Sequence, residues 1–247
     1  MRYPAVLIAI LLVFAILTPG AQKPGTQPTD ADFLPAGPFL FEPGAIQPTY
    51  MDAFDSRPVV KSPDGKLAVT VTGPKESYGA WVTIDPSDFP NGAIQVWPIQ
   101  RNCAVLWRSD SEAFALTDNR YANASYALVF GTQFHMGENG EGLGIPITDV
   151  TPVIRKNFET RAQKFYVANA YEIDLIYVKA LQWVGDDQLL VGLNARTSLA
   201  TPLDQKIQDL RVRDWYLGYM IDVRSKKVVG ELDEGQLLSQ YGIKVAK

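Results

Sequence analysis

The chain has 247 residues, of which 47% are hydrophobic and 20% are charged, and its formal net charge is −4. This balance is typical of a globular protein and excludes a disordered or fibrous chain. A mildly acidic protein without a lysine or arginine cluster offers no electrostatic footprint for nucleic acid and no polybasic face for anionic lipid.

Residues 1–21 are predicted to form a cleavable secretory signal peptide. Arg2 supplies a positive charge, an apolar run of 13 residues extends from Ala5 to Leu17, and residues 18–21 are small or helix-breaking. This order of zones is typical of a signal peptide, and the run is too short for a hydrocarbon core, which needs about 20 residues. We therefore expect export to the periplasm or the extracellular space, without stable membrane insertion after cleavage. An uncleaved anchor is the alternative.

Residues 22–56 are predicted to be an extended leader to the folded domain. The leader contains prolines at positions 24, 28, 35, 38, 43 and 48. Proline fixes φ and lacks an N–H donor, so this composition disfavours a helix or a central strand. Phe33–Leu34 and Phe39–Phe41 are too apolar for a free linker, so part of the leader is expected to lie against the folded body. Residues 57–247 are predicted to form a single β-rich domain.

Short β-rich runs bounded by Gly, Pro, Asp and Asn predict antiparallel strands in this domain. The clearest runs are residues 67–72, 80–84 and 126–130. Near the end of the chain, residues 215–221 alternate apolar residues with small or polar ones. Arg224–Lys226 then turns the chain into residues 228–232. This arrangement predicts a hairpin with one apolar face.

Helical spacing interrupts the β pattern at residue 151. Thr151–Pro152 places an N-cap residue before a proline at the first helical position, which predicts the start of a helix of about 14 residues. The apolar residues that follow at helical spacing are Ile154, Phe158, Ala162 and Phe165. Residues 201–210 repeat the signal more weakly, and both segments are interpreted as insertions between strands. A short helix is also predicted at residues 234–241, before Gly242.

One strand–turn–strand pattern occurs three times. The copies are residues 59–69, 105–116 and 181–191, and their turns contain Asp64, Asp110 and Asp186. A short aspartate side chain accepts hydrogen bonds from turn amides, so these residue types suit tight turns. The aspartates lie 46 and 76 residues apart. The first spacing matches one blade of a β-propeller, and the second leaves room for the helix predicted at residue 151.

The segment Ser62-Pro63-Asp64-Gly65-Lys66, followed by a β-run, resembles the signature of the TolB-type β-propeller repeats. Residues 107–111 and 183–187 resemble degenerate copies, and only the first copy keeps the Pro-Asp-Gly core. The resemblance implies a mainly β fold of antiparallel, blade-like sheets, a small or partial propeller, with one or two inserted helices. A four-bladed ring, an open twisted sheet and a part-ring completed by oligomerisation stay open. It carries over no catalytic residue and implies a binding platform.

His135 is the only histidine, and Cys103 is the only cysteine. This shortage disfavours a zinc site or a histidine-dependent nucleophile, and we predict no metal and no cofactor. His135 precedes a glycine-rich loop with Glu138 and Glu141, which lacks the ending of a phosphate-binding P-loop. We interpret the loop as a mobile surface element, with these three residues as candidate binding residues. A weak cation site at the two glutamates is the alternative, although the spacing matches no calcium loop.

Two further residue types are assigned structural roles. Cys103 lies in an apolar strand-like run and is predicted to be buried and inert. Trp107 and Trp183 occupy the same position in two of the repeats. Shared placement in a repeat favours packing between blades over exposure to solvent.

The sequence favours an exported, non-enzymatic binding or scaffold domain that recognises a protein or peptide partner. The signal peptide, the repeated turn and the lack of catalytic spacing motivate this interpretation. One alternative is a small hydrolase or lyase that uses His135. Another is an inhibitor or immunity-type protein that blocks an enzyme with the loop at residues 131–146. No nucleic-acid partner is expected.

Overall fold

The structure is a computed structural model, and it describes most of the chain between residues 41 and 245. The described residues are 41–42, 49–52, 59–72, 80–86, 93–121, 123–133, 135–136, 143–166, 170–199 and 212–245. All of them belong to one compact unit, residues 35–247. The predicted signal peptide, most of the predicted leader and the helix predicted at residues 201–210 lie outside the described residues.

Three antiparallel sheets make up most of the described fold. The first sheet contains β3 (Val60–Lys61), β4 (Leu67–Thr72), β5 (Ala80–Pro86) and β6 (Ile94–Ile99), paired in chain order. The second contains β2 (Thr49–Asp52), β7 (Asn102–Trp107), β8 (Ala113–Asp118), β9 (Tyr126–Gly131) and β12 (Ile147–Asp149). The third contains β13 (Tyr171–Val184), β14 (Gln188–Leu199), β15 (Val212–Asp222) and β16 (Lys227–Leu232), again in chain order.

Two short strand pairs and two helices complete the fold. The strand pairs are β1 (Phe41–Glu42) with β17 (Lys244–Val245), and β10 (His135–Met136) with β11 (Leu143–Gly144). The helices are α1 (Thr151–Tyr166) and α2 (Glu234–Tyr241). The prediction of a mainly β fold with blade-like antiparallel sheets and inserted helices is confirmed. None of the described helices is both long and apolar enough to cross a bilayer.

Helix α1 follows the predicted stripe with one difference at its end. Ile154, Phe158 and Ala162 are buried as predicted, but the fourth buried residue is Tyr166 rather than Phe165. A strict four-residue step carries the stripe to position 166, where the tyrosine hydroxyl lies 2.7 Å from Oγ1 of Thr197. Phe165 is half-buried instead.

Helix α2 has the bounds that its sequence predicts, because strong local signals define both ends. Asp233 and Gln236 form a reciprocal capping box at the N-terminus. Gly242 ends the helix in the left-handed region, with φ of 66°. Glycine adopts that conformation without steric cost, so the stop signal is local and readable.

The second sheet is the central layer of the fold. All six residues of β8 are buried, because its two faces belong to different hydrophobic clusters. Leu116 packs with residues of the first sheet, whereas Ala115 packs with α1 and the third sheet. Burial on both faces explains why β8 begins with four consecutive apolar residues instead of alternating.

Two glycines shape the outer face of the third sheet, which a third cluster covers. Gly192 and Gly218 are paired across β14 and β15. A Cβ atom at Gly192 would lie 2.8 Å from the Phe41 ring, and one at Gly218 would lie 2.6 Å from Leu237. Because neither glycine has a side chain, Phe41 of β1 and Leu237 of α2 can pack directly on the sheet.

The predicted leader supplies two of the strands. Phe41 is 2% exposed and belongs to β1, which pairs with β17. Strand β2 pairs with β7, from Thr49 opposite Val105 to Asp52 opposite Asn102. Both strands lie within residues 22–56, so at least these parts of the segment lie against the folded body.

The first seam, between the first and second sheets, contains a buried carboxyl group in contact with a guanidinium group at the far end of β8. Asp118 is fully buried and accepts a hydrogen bond of 2.8 Å from Nε1 of Trp97 on β6. Arg120 lies 3.1 Å from the same carboxylate and donates to the carbonyl of Pro98. Burial raises the pKa of Asp118, although the Trp97 and Arg120 contacts oppose the shift. Oδ1 of Asp118 has no hydrogen-bond partner in the described part of the chain.

The second seam, between the second and third sheets, is held by neutral hydroxyl groups. The Ser125 hydroxyl donates to the Val178 carbonyl and accepts from the Val178 amide, both at 2.7 Å. Oγ1 of Thr117 accepts from the Ala180 amide at 3.0 Å. Side chains of β8 and of the residue before β9 thus satisfy main-chain groups along the edge of β13, beside the main-chain bond from Ile176 to Asn123.

Candidate functional site

The sequence-predicted binding residues lie at the β10–β11 pair and the loop beyond it. His135 belongs to β10, and its backbone is paired with Gly144. Its side chain, together with Glu138 and Glu141, lies outside what the structure describes, so their binding role stays a prediction. Among the described residues, no group of three or more His, Cys, Asp or Glu side chains could hold a metal ion.

The structure instead brings the three repeated turns together around one cleft. Each repeat forms the predicted antiparallel hairpin: β3 with β4, β7 with β8, and β13 with β14. The cleft between the turns, here called the three-turn cleft, has a volume of about 450 Å³. Its lining contains Lys61, Trp107 and Trp183. These three residues occupy the same position in the three repeats, three residues before the turn aspartate.

The two tryptophans connect neighbouring sheets through one repeated contact. Nε1 of Trp107 donates to the Val60 carbonyl of the first sheet at 3.2 Å. Nε1 of Trp183 donates to the Leu106 carbonyl of the second sheet at 3.1 Å. Val60 and Leu106 are also equivalent positions, so the repeat carries both the donor and the acceptor. The predicted packing of these tryptophans between sheets is confirmed.

Hydrogen bonds between the turns hold the rim of the cleft. The Asp64 amide of the first turn donates to the Ser111 hydroxyl of the second turn at 3.0 Å. The Arg108 guanidinium of the second turn donates to the Asp186 carbonyl of the third turn. The guanidinium also lies 5.8 Å from the centre of the Trp183 ring. Each turn is therefore tied to the next one.

The rim carries fixed charges. Arg108 lies 2.7 Å from Asp110 and 3.1 Å from Glu112. The hydrogen bond from Arg108 lowers the pKa of Asp110, and Asp110 in turn raises the pKa of the guanidinium. At the first turn, the hydroxyl of Ser62 lowers the pKa of Asp64. The lowered pKa values of Asp64 and Asp110 keep both carboxylates ionised across the neutral range.

The floor of the cleft is apolar. Val60 and Val105 are buried there, and the two tryptophans are half-buried. Because each indole N–H is already bonded within the protein, the rings offer only carbon surface. Trp107 also packs on Phe114, with ring centres 5.0 Å apart. This combination of apolar floor and polar rim is typical of binding sites.

Cys103 is fully buried on β7, as predicted, and it lies outside the cleft lining. No local sequence motif marks the cleft. The sequence does contain one indication of it: Lys61, Trp107 and Trp183 align in the three repeats. Three large side chains therefore occupy equivalent places in three hairpins. No known protein-family model and no curated protein matches this sequence.

Proposed function

We propose that this protein is an exported, non-enzymatic binding domain that recognises a protein or peptide partner at the three-turn cleft. The observation that carries the proposal is the convergence of Trp107 and Trp183 on one half-open, apolar-floored cleft. Half-buried tryptophans surrounded by a polar rim are typical of the energetic centre of recognition sites. The signal-peptide pattern of residues 1–21 supports export.

The composition of the lining also favours binding. The described lining contains one serine, Ser109, and neither histidine nor cysteine. Ser109 is exposed, and its hydroxyl forms no hydrogen bond to a basic side chain among the described residues, as an activated nucleophile would. The side chains that do converge supply contact area and charge, which are the elements of recognition.

A pull-down with a matched pair of variants tests this proposal. Purified residues 22–247 would be immobilised and exposed to periplasmic extract, and bound proteins would be identified by mass spectrometry. Ser109→Arg adds a long charged side chain at the rim of the cleft, whereas Ser239→Arg adds the same side chain at an exposed position on α2. We expect a saturable partner that binds the original protein and Ser239→Arg, and that binds Ser109→Arg at least about tenfold more weakly.

Two outcomes contradict the proposal. One is the absence of any saturable partner in periplasmic extract and culture medium. The other is a partner that binds Ser109→Arg and Ser239→Arg equally well, which would move the interface away from the cleft. Circular dichroism of both variants checks that the fold is retained.

A further inference from the structure

The three-turn cleft departs from the repeat pattern at one position of its lining. The position that a tryptophan holds in the second and third repeats is Lys61 in the first repeat. Lys61 is exposed, and it lines the cleft together with Trp107 and Trp183. Departures from a local pattern are expected at functional positions, so the charge at this place in the repeat points to a role in binding.

A second departure concerns the turn aspartates. Asp64 lies 3.7 Å from Lys66, a cation of its own turn. Asp110 lies 2.7 Å from Arg108, also a cation of its own turn. Within the described part of the chain, Asp186 forms no such ion pair, and Arg108 donates to its main-chain carbonyl instead. Asp186 is exposed and belongs to the cleft lining, so the third turn presents a carboxylate to the cleft.

The two charges belong to the outer two of the three stacked sheets. Lys61 lies on β3 of the first sheet, and Asp186 lies in the turn between β13 and β14 of the third sheet. Sheets that pack face to face are about 10 Å apart, so the two charges are separated by about 20 Å. An extended chain advances about 3.3 Å per residue, so about six residues span this distance. A polypeptide that complements both charges therefore carries an acidic and a basic residue at about that spacing.

Carbon surface lies between the two charges. Trp107 and Trp183 are half-buried there. Their indole N–H groups already donate to the carbonyls of Val60 and Leu106. A polar ligand group that covered these rings would lose its water without gaining a hydrogen bond from an indole. A large apolar side chain would instead bury carbon surface on both rings, so the middle of the bound segment is expected to be apolar.

We propose that the partner binds the cleft through an extended segment with three side chains in a fixed order. An acidic residue faces Lys61, a large apolar residue packs on the two indole rings, and a basic residue faces Asp186. This inference rests on the proposed function and specifies which side chains the partner contributes. The apolar side chain supplies most of the affinity, and the two charges select the segment and set its direction across the cleft.

Selection of peptides from a random library tests the proposal. Linear peptides displayed on phage would be selected on purified residues 22–247, and peptides that also bind Ser109→Arg would be removed. We expect the selected peptides to share a large apolar residue between an acidic and a basic residue, with the two charged residues about six positions apart. Replacing the apolar residue of the best peptide by alanine should weaken binding at least about tenfold.

Charge changes on both sides test each polar contact separately. Lys61→Glu should weaken binding of the best peptide about fivefold at low salt, and replacing the acidic residue of the peptide by lysine should restore it. Asp186→Asn should weaken binding about threefold, but only when the peptide keeps its basic residue. Both effects should shrink at high salt, because exposed charges are screened. The controls are Lys156→Glu on α1 and Glu172→Lys on β13, exposed positions outside the described lining, which should leave binding unchanged.

NMR of the indole N–H groups tests the apolar contact. The signals of Trp107 and Trp183, assigned with the variants Trp107→Phe and Trp183→Phe, should shift when the peptide is added. Trp215 is the control, because it is buried and its N–H donates to Thr197 away from the cleft lining. Its signal should stay in place.

The outcomes separate this inference from the proposed function. The inference is overturned if no peptide is selected, if the charge changes at Lys61 and Asp186 have no effect, or if the two indole signals stay in place. If a pull-down partner is still lost on Ser109→Arg in any of these cases, the cleft remains a recognition site for a different set of side chains. If no partner depends on the cleft, the proposed function itself is overturned.

Discussion

The first and second seams share one contact and differ in what surrounds it. In each seam a tryptophan of the later sheet donates its indole N–H to a carbonyl of the earlier sheet. At the first seam the additional support is the buried Asp118 with Arg120 and Trp97. At the second seam it is Ser125, whose hydroxyl bonds both main-chain groups of Val178.

The repeat supplies one kind of contact to both seams, and each seam has further polar contacts of its own. The indole contact recurs because Trp107 and Trp183 occupy equivalent positions in their repeats, as do their acceptors Val60 and Leu106. The other polar contacts of the two seams differ. Their chemistry decides how the stability of each seam depends on pH. A buried carboxylate carries a desolvation cost that changes with pH, whereas a hydroxyl bonded to main chain does not titrate. Of these two supports, only the carboxyl of the first seam titrates.

The largest effect is expected from removing the hydroxyl at the second seam. Ser125→Ala leaves the buried N–H and C=O of Val178 without their partner. Unpaired buried main-chain groups cost about 1–3 kcal/mol each, so we expect the free energy of unfolding to fall by about 2–4 kcal/mol. Urea denaturation measures this change. Ser239→Ala on the exposed face of α2 is the control and should stay within about 0.5 kcal/mol. A loss below 1 kcal/mol for Ser125→Ala would show that the second seam does not depend on this group.

A smaller effect is expected from breaking the shared contact at each seam. Trp107→Phe and Trp183→Phe keep an aromatic ring and remove the indole N–H. Each change should lower the free energy of unfolding by about 1–2 kcal/mol, because one hydrogen bond and part of the ring area are lost. Trp183→Phe should cost slightly more, because Trp183 also contacts the Arg108 guanidinium. Thermal unfolding of the two variants side by side measures the difference. Equivalence of the contacts is contradicted if one variant is neutral and the other loses stability.

The smallest effect is a dependence on pH at the first seam. Burial raises the pKa of Asp118 above its ordinary value of 3.8. The folded state then holds the proton more tightly than the unfolded chain, so the free energy of unfolding falls as the pH rises above 3.8, until the carboxyl is ionised in both states. Asp118→Asn keeps an acceptor for Trp97 and cannot ionise, so its stability should lack this component. Denaturation curves across the acidic range compare the two proteins, and identical pH profiles would contradict the assignment.

Elements with strong local signals could be predicted from the sequence. The strand at residues 67–72 and helix α2 have the predicted bounds, because the turn residues and the capping box act over a few neighbouring positions. The predicted packing of Trp107 was also correct, since its place in the repeat indicated a neighbouring sheet. For helix α1 the spacing predicted three of the four buried residues, but the fourth is Tyr166 rather than Phe165.

Features that depend on distant partners could not be predicted. The apolar run at Phe39–Phe41 indicated that part of the leader lies against the folded body, but nothing in the local sequence indicates Gly192 as the neighbour of Phe41. The contact of Trp97 with Asp118 joins two sheets through residues of unremarkable local sequence. The cleft was missed for the same reason, because it exists only when three separate turns meet. The proposed role of His135 still awaits a test.

The pairing of β1 with β17 has a consequence for the connectivity of the domain. Phe41 and Val245 are opposite each other in this pair, so the two ends of the described fold lie about 5 Å apart. A short linker could join them, and new termini could be opened at the exposed turn of Arg224–Lys226 without breaking any described strand pairing. The order of the three sheets along the chain could thus be changed while the described strand pairings are kept.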